Sequence, residues 1–321
     1  MKRMNCLLAA AVLVLAGAGC GNGGGGGKPK VAGVVFQEDQ FMKLLQLGFK
    51  DAAGKAGLEF YPANTNGDAA KESELLNTYV IQGYKGVAIS PISEEASLKV
   101  IGDAAGKGLF IGISNHKFSN LGYITGAFTS DNYELGKATG EVAAKFIQEN
   151  LGGKAVLAVL QFKSLLPEQS SARSQGFLET VKKLPGVEIV ADQDAWLQDK
   201  AISVAGDIIT ANPRLNLIWA ANEGGTIGAT MAVKNADKAG KIFVFGTDAS
   251  EQILQLLSDP SDILQAVTGQ DPYAIGGKTM ESVARAGKNE DYSATKGKSF
   301  IVPGLVLSRG EPARLASFLA D

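Results

Sequence analysis

Apolar, β-rich runs alternate along this chain with longer stretches of helical period, and the strand-like runs occur twice in the same order. Lys30 to Gln37 (KVAGVVFQ) has its counterpart in Lys154 to Gln161 (KAVLAVLQ), each stopping at a glutamine. Tyr84 to Ser90 (YKGVAIS) matches Leu215 to Asn222 (LNLIWAAN), and Gly108 to Asn115 (GLFIGISN) matches Lys241 to Asp248 (KIFVFGTD). Nearly continuous apolar runs are the mark of strands buried on both faces, and their alternation with helices is the pattern of a parallel sheet with crossover helices. Spacing, not residue identity, carries the repeat. The expectation is an α/β protein of two similar Rossmann-like lobes.

That architecture says where function should lie. In open parallel sheets ligands bind beyond the carboxyl ends of the strands, and Gln37 to Gln40, Ser90, Ser114 to His116, Gln161, Asn222, Glu223, Thr247 and Asp248 all fall there. Each could instead cap the helix that follows. Asp39 reads as such a cap for a helix carrying Phe41, Leu44, Leu45, Gly48, Phe49 and Ala52 on one face and ended by Gly54 and Gly57. Asp248, ahead of Ala249, Ser250 and Glu251, reads equally as a cap or a ligand contact. Trp196 sits in the polar stretch from Asp192 to Asp199, before a helix through Ala201, Val204, Ile208 and Ile209, where an indole is placed to stack on a ligand. Trp219, inside an apolar strand, reads as core. Phe36 and Phe41 suit either cleft wall or core.

The first residues read as an export signal. Lys2 and Arg3 precede an apolar run from Leu7 to Ala16, shorter than the ~20 residues of a membrane-spanning helix, and small residues lead into Cys20. This resembles a bacterial lipoprotein signal (1–19), although Gly17 stands where a leucine is usual, and it predicts lipid on Cys20. The Gly-dense stretch from Gly21 to Gly27, within a 20–28 linker, is a flexible tether; it lacks the strand and the Lys-Ser/Thr of a phosphate loop. Cleavage before Cys20 leaves 302 of the 321 residues, enough for two lobes of ~150. A net charge of −2 suggests no face for nucleic acid. The only cysteines are Cys6 and Cys20 and the only histidine is His116, so neither a disulfide framework nor a His-based zinc site is expected.

From about Lys30 to Val306 the chain resembles the ribose- and galactose-type periplasmic sugar-binding proteins, the substrate-capturing components of ABC importers (periplasmic binding protein type I). Five stretches carry the resemblance: Gly83 to Pro91; Thr129 to Asn132 with Gly136, Lys137 and Gly140; Arg173 to Phe177; Ala221 to Glu223; and Phe245 to Asp248. The resemblance implies ligand contacts at Phe36, Gln40, Phe41, Ser90, Ser114, Asn115, Ser171, Trp196, Asn222, Asp248 and Gln270. Asn, Asp and Gln suit a sugar hydroxyl, which both donates and accepts. Ribose binders carry an Asp-Arg pair where this chain has Ser114 and Asn115, and a second Arg at Ser171, so ribose itself is disfavoured. A ligand with fewer or differently placed hydroxyls is expected instead, such as a sugar alcohol, a deoxy or furanose sugar or a furanosyl signal, and Glu38, Asp39, Asp194 and Glu223 near the expected cleft leave an amine-bearing ligand as an alternative. Lys163 would offset part of that charge.

The resemblance further implies three hinge crossings, near Ser130 to Asn132, Gln270, and Ile301 to Gly304. They divide the chain into lobes of 29–131 with 271–301 and 132–270 with 302–321. A monomer is expected, exported to the periplasm or cell surface and held to the membrane by lipid only. Its partners would be the sugar or polyol and a membrane ABC permease. No cofactor, metal or catalytic residue is expected: one histidine and no Gly-x-Ser-x-Gly elbow argue against a hydrolase, and the dinucleotide fingerprint is incomplete at Asn222. The export signal occupies the place where a related repressor would carry its DNA-binding helices. Importer and sensor roles are not separated by sequence.

Overall fold

The computed structural model describes residues 27–118 and 121–311. The export signal, Cys20 and residues 312–321 lie outside them. Two six-stranded sheets form the frame. The first is built from β1 (Lys30–Val35), β2 (Glu59–Asn64), β3 (Gly86–Ile89), β4 (Phe110–Ser114), β5 (Ile124–Thr129) and β11 (Ser299–Ile301), in the order β11-β5-β4-β3-β1-β2 and all parallel. The second holds β6 (Lys154–Gln161), β7 (Gly186–Asp194), β8 (Leu217–Ala220), β9 (Phe243–Thr247), β10 (Leu264–Gly269) and β12 (Leu305–Ser308), in the order β12-β10-β9-β8-β6-β7. Only β12 runs antiparallel, against β10. The matched runs of the sequence are β1 with β6, β3 with β8 and β4 with β9, each pair at the same place in its sheet. In both sheets the strand order reverses beside the first strand, and the crevice beyond its carboxyl end is where such folds bind ligands.

Helices α1 (Gln40–Lys55), α2 (Ala69–Ile81) and α3 (Glu94–Gly106) connect the first sheet, and α5 (Pro167–Val181), α6 (Gln198–Ala211), α7 (Glu223–Asn235) and α8 (Glu251–Ser258) the second. Asp39 caps α1 by accepting the Met42 N–H at 2.8 Å. The buried face of α1 is Met42, Leu45, Gly48, Phe49, Ala52 and Ala53, while Phe41 and Leu44 are only half-buried. The expected stripe is thus rotated, because Leu44 fronts a cavity and Phe41 both lines that cavity and packs against the core edge. On α6 the predicted Ala201, Val204, Ile208 and Ile209 are all buried.

The chain passes between the sheets three times. After β5, α4 (Asn132–Asn150) packs on α5, β9 and β10 of the second sheet; after β10, α9 (Pro272–Gly287) returns to α1, β3, β4 and β5; and β11 leads directly to β12. The two returning helices make the same kind of close crossing. A Cβ on Gly48 would lie 2.2 Å from the Tyr273 carbonyl oxygen and one on Gly276 2.1 Å from that of Leu45. In the second lobe a Cβ on Gly136 would lie 1.8 Å from the Arg173 oxygen and one on Gly176 2.1 Å from that of Tyr133. Glycine is used at these four positions because backbone sits where a side chain would begin. Trp219 is fully buried, its ring stacked on Phe177 at 4.4 Å between centroids, as its apolar strand predicted.

Candidate functional site

The loops at the carboxyl ends of the strands face each other across one cleft. The first lobe contributes Phe36, Gln37, Asp39 and Phe41 from the β1–α1 turn and Asn115 after β4. The second contributes Phe162 after β6, Gln169 and Arg173 from α5, Asn222 and Glu223 after β8 and Asp248 after β9, and Gln270 lies at the second crossing. The centre of this cleft is narrow, about 50 Å³. It adjoins a chamber of about 540 Å³ whose wall shares Phe41, Glu223, Asp248 and Gln270 and adds Gln40. Of the eleven expected contacts, Phe36, Gln40, Phe41, Asn115, Asn222, Asp248 and Gln270 therefore meet in one place.

Hydrogen bonds show how these side chains are held. Asp248 has a left-handed backbone (φ 76°) and accepts the Glu223 N–H at 2.9 Å through one oxygen and the Gln270 side-chain amide at 2.8 Å through the other. It is not a helix cap: Ser250 caps α8, accepting from the Ile253 N–H. Asn222 does cap α7, its oxygen accepting the Gly225 N–H at 3.3 Å while its amide donates to the Trp196 carbonyl at 2.9 Å. Asn115 also has positive φ (62°), and its carbonyl accepts the Gln169 side-chain amide at 2.6 Å, joining the lobes.

The remaining expected contacts stand apart. Ser90 and Ser114 are buried side by side at the ends of β3 and β4, where Ile89 and Ile113 pair, and line neither cavity. Ser171 is exposed: α5 turns Gln169 and Arg173, four residues apart, to the cleft, and the residue between them points to another face. Trp196 is half-buried, packs against the apolar core and donates its indole N–H to the Ser164 hydroxyl at 3.2 Å, so it does not line either cavity. Gln161 is occupied within its own lobe, accepting the Ser174 hydroxyl at 2.7 Å and donating to Asp192.

Among the side chains lining the cleft that sequence did not single out as contacts are Phe162, Gln169 and Arg173. The Arg173 guanidinium lies 5.0 Å over the Phe162 ring, donates to the Asn132 side-chain oxygen at 2.7 and 3.1 Å, and donates to the Ala221 carbonyl at 2.6 Å. It ties the first crossing to the floor of the cleft. Arg173 opens one of the stretches that carry the resemblance, and Gln169 lies four residues before it on the same helical face.

Carboxylates dominate the charge. Burial raises Asp39, with the Asp248 charge adding and the Met42 N–H opposing. Burial also raises Glu223 to about 7, with Asp248 and Asp39 adding and the Ser250 hydroxyl and Phe41 backbone opposing. Burial lowers the Arg173 guanidinium, and Asp248 opposes. Asp39 belongs to one lobe and Glu223 and Asp248 to the other, so closing the cleft brings like charges together. Nearby, burial lowers His116 to about 4, the Ser114 backbone opposing, so the imidazole is neutral. Among the described residues no grouping of His, Cys, Asp and Glu is arranged to hold a metal, and no helix is long and apolar enough to cross a membrane.

The fold is matched elsewhere. The chain of an inositol-bound ABC transporter solute-binding protein from Bacillus halodurans C-125 superposes with a TM-score of 0.81, covering 92% of this chain and 98% of that one at 16% identity. In sequence, the ABC transporter periplasmic-binding protein YphF of Escherichia coli K12 is 32% identical over 79% of this chain and 77% of its own length. The D-allose-binding periplasmic protein of the same organism is 28% identical over 76% and 80%. Residues 33–291 match the family model for the periplasmic binding protein domain. With two matched lobes, three crossings and a polar cleft between them, the chain belongs to the periplasmic binding protein domain family.

Proposed function

We propose that this protein is the extracytoplasmic solute-binding component of an ABC importer, capturing a sugar or polyol between its lobes and delivering it to a membrane permease. One observation carries the reading: aromatic Phe36 and Phe41, amide-bearing Asn115, Asn222 and Gln270, and Asp248 converge from both lobes and a hinge crossing on one cleft. Aromatic faces suit the C–H faces of a sugar ring, and side chains that both donate and accept suit its hydroxyls. Nothing is chemically transformed. Ligand contacts both lobes only in the closed form, and its differential affinity selects that form. The rigid bodies of this reading are residues 29–131 with 271–301 and 132–270 with 302–321, of which 119–120 and 312–321 lie outside the described residues, rotating about the three crossings. Lipid on Cys20, outside the described residues, would hold this monomer at the membrane near its permease.

A second reading, an amine-bearing ligand, is favoured by the convergence of Asp39, Glu223 and Asp248. A thermal-shift screen of residues 28–321 against pentoses, hexoses, deoxy sugars, polyols, furanosyl signals and amines separates the two. Ligand at ~100 times its Kd should add ~2.7 kcal/mol, a shift of several degrees. A sugar or polyol response abolished in Asp248→Ala supports the proposal. A response to amines alone would replace the sugar reading, and silence across the panel would refute both.

A further inference from the structure

The chamber beside the cleft is larger than the cleft itself, and the two share four lining residues, Phe41, Glu223, Asp248 and Gln270. The narrow part, about 50 Å³, lies between Phe36, Asn115 and Arg173. The chamber, about 540 Å³, extends from the shared wall of Phe41, Glu223, Asp248 and Gln270 toward the second and third crossings. Its volume alone falls within the roughly 300–1,000 Å³ of sites that hold ligands larger than one sugar ring. Its far wall changes character. Leu44 of α1, Pro272 and Tyr273 at the start of α9, and Pro303 and Leu305 around the third crossing present apolar surface. The Tyr273 hydroxyl donates to Asp51 at 2.9 Å, which fixes a ring that is otherwise 39% exposed. A fixed aromatic ring lining the same cavity as a leucine and two prolines is suited to a flat or ring-shaped apolar group and offers little to free hydroxyls.

We propose that the ligand is a glycoside rather than a free monosaccharide, with one sugar ring held between the lobes and a second ring or aglycone seated in this chamber. The inference rests on the sugar-binding reading above. It also explains why Leu44, on the face of α1 expected to be core, is left half-buried at a cavity.

Titration calorimetry of the mature protein tests it with matched probes. These are D-glucose, D-galactose, D-allose and D-ribose, the phenyl glycosides of each in both anomers, and the disaccharides cellobiose and lactose. The phenyl glycoside or disaccharide of a bound sugar should bind at least ~10-fold tighter than the free sugar, about 1.4 kcal/mol. Leu44→Trp, which narrows the chamber at its apolar wall, should reduce that gain and leave the free-sugar Kd within twofold. Tyr273→Ala, which removes the fixed ring without adding bulk, should reduce the gain and serves should Leu44→Trp melt early. Free sugars binding tightest, or a glycoside advantage untouched by both variants, overturns the proposal while leaving sugar binding intact. Silence with every free sugar and glycoside overturns the glycoside proposal, and only silence of the polyols, deoxy sugars and furanosyl signals of the thermal-shift screen as well overturns the sugar reading.

Discussion

The Gln169 side-chain amide donates to the Asn115 carbonyl at 2.6 Å, so a helix of one lobe is hydrogen-bonded to a strand-end loop of the other. Both groups are buried and neither lies on a hinge segment, so the bond exists only when the lobes are together. Such a bond contributes a net ~0.5–1.5 kcal/mol to the state that contains it. Gln169→Ala should therefore weaken ligand affinity by up to about tenfold, chiefly by faster release. The melting temperature without ligand should hardly change. Stopped-flow release rates check this; an unchanged release rate would show that the bond does not latch the closed form.

Glu223 supplies a pH dependence with a definite sign. Its pKa rises from an ordinary 4.5 to about 7 in the closed fold, first through burial and then through Asp248 and Asp39. A carboxyl raised in this way makes the folded form bind more protons than the unfolded one. The contribution of Glu223 to stability is therefore most favourable below about 4.5, falls as pH rises toward about 7, and carries its full penalty above that. Glu223→Gln should stabilise the protein at pH 8 by on the order of 1–3 kcal/mol and do little at pH 4. Melting curves across that range decide the matter: parallel curves for the two proteins would exclude Glu223 as the titrating group.

Much of this was legible because strands buried on both faces leave an unbroken apolar signature, and the repeat of that signature fixes both sheets at once. Polar residues directly after such strands, Asn115, Asn222 and Asp248, were legible for the same reason, since the strand end determines where they point. Side chains on helices were harder. Gln169 and Arg173 reach the cleft and Ser171 does not, a difference of helical phase that depends on how α5 lies against α4 at Gly136 and Gly176. Trp196 lines neither cavity, because its polar neighbourhood concealed an apolar surface beneath it and a hydroxyl partner, Ser164, thirty-two residues away. The cap expected at Asp248 moved to Ser250 because the Asp248 backbone is left-handed, which turns its carboxylate toward Glu223 and Gln270 instead.

The paired helix crossings predict matched sensitivities. Adding a methyl at Gly136 must displace the Arg173 backbone, which would lie only 1.8 Å away, and adding one at Gly276 must displace that of Leu45 at 2.1 Å. Backbone cannot swing aside as a side chain end can. Gly136→Ala and Gly276→Ala should each cost on the order of 2–3 kcal/mol or more, whereas Gly54→Ala, with open space around it, should be neutral or slightly stabilising in its helix. Thermal melts of the three variants check the ranking. Equal melting temperatures would mean the helices can part at little cost.

Asp248 performs two tasks that substitution can separate. Its carboxylate accepts from Glu223 and Gln270, and its backbone occupies the left-handed region at φ 76°, where a Cβ is unfavourable and Asn and Gly are tolerated best. Asp248→Ala loses both acceptors and keeps the strained backbone, so it should lose most ligand affinity and about 1–3 kcal/mol of stability. Asp248→Gly loses the acceptors but relieves the backbone, so it should be equally poor at binding yet more stable than the alanine variant. Asp248→Asn keeps one acceptor oxygen and tolerates the backbone, and should retain partial binding. It also removes a negative charge beside Glu223 and Asp39, which should bring the Glu223 pKa down from about 7. Affinity should thus fall in the order Asp, Asn, then Gly with Ala, while stability places Gly above Ala. Calorimetry and melting of the three variants read the two orders independently. Full affinity in Asp248→Gly would remove this carboxylate from ligand recognition and leave it only the task of holding Gln270 at the hinge.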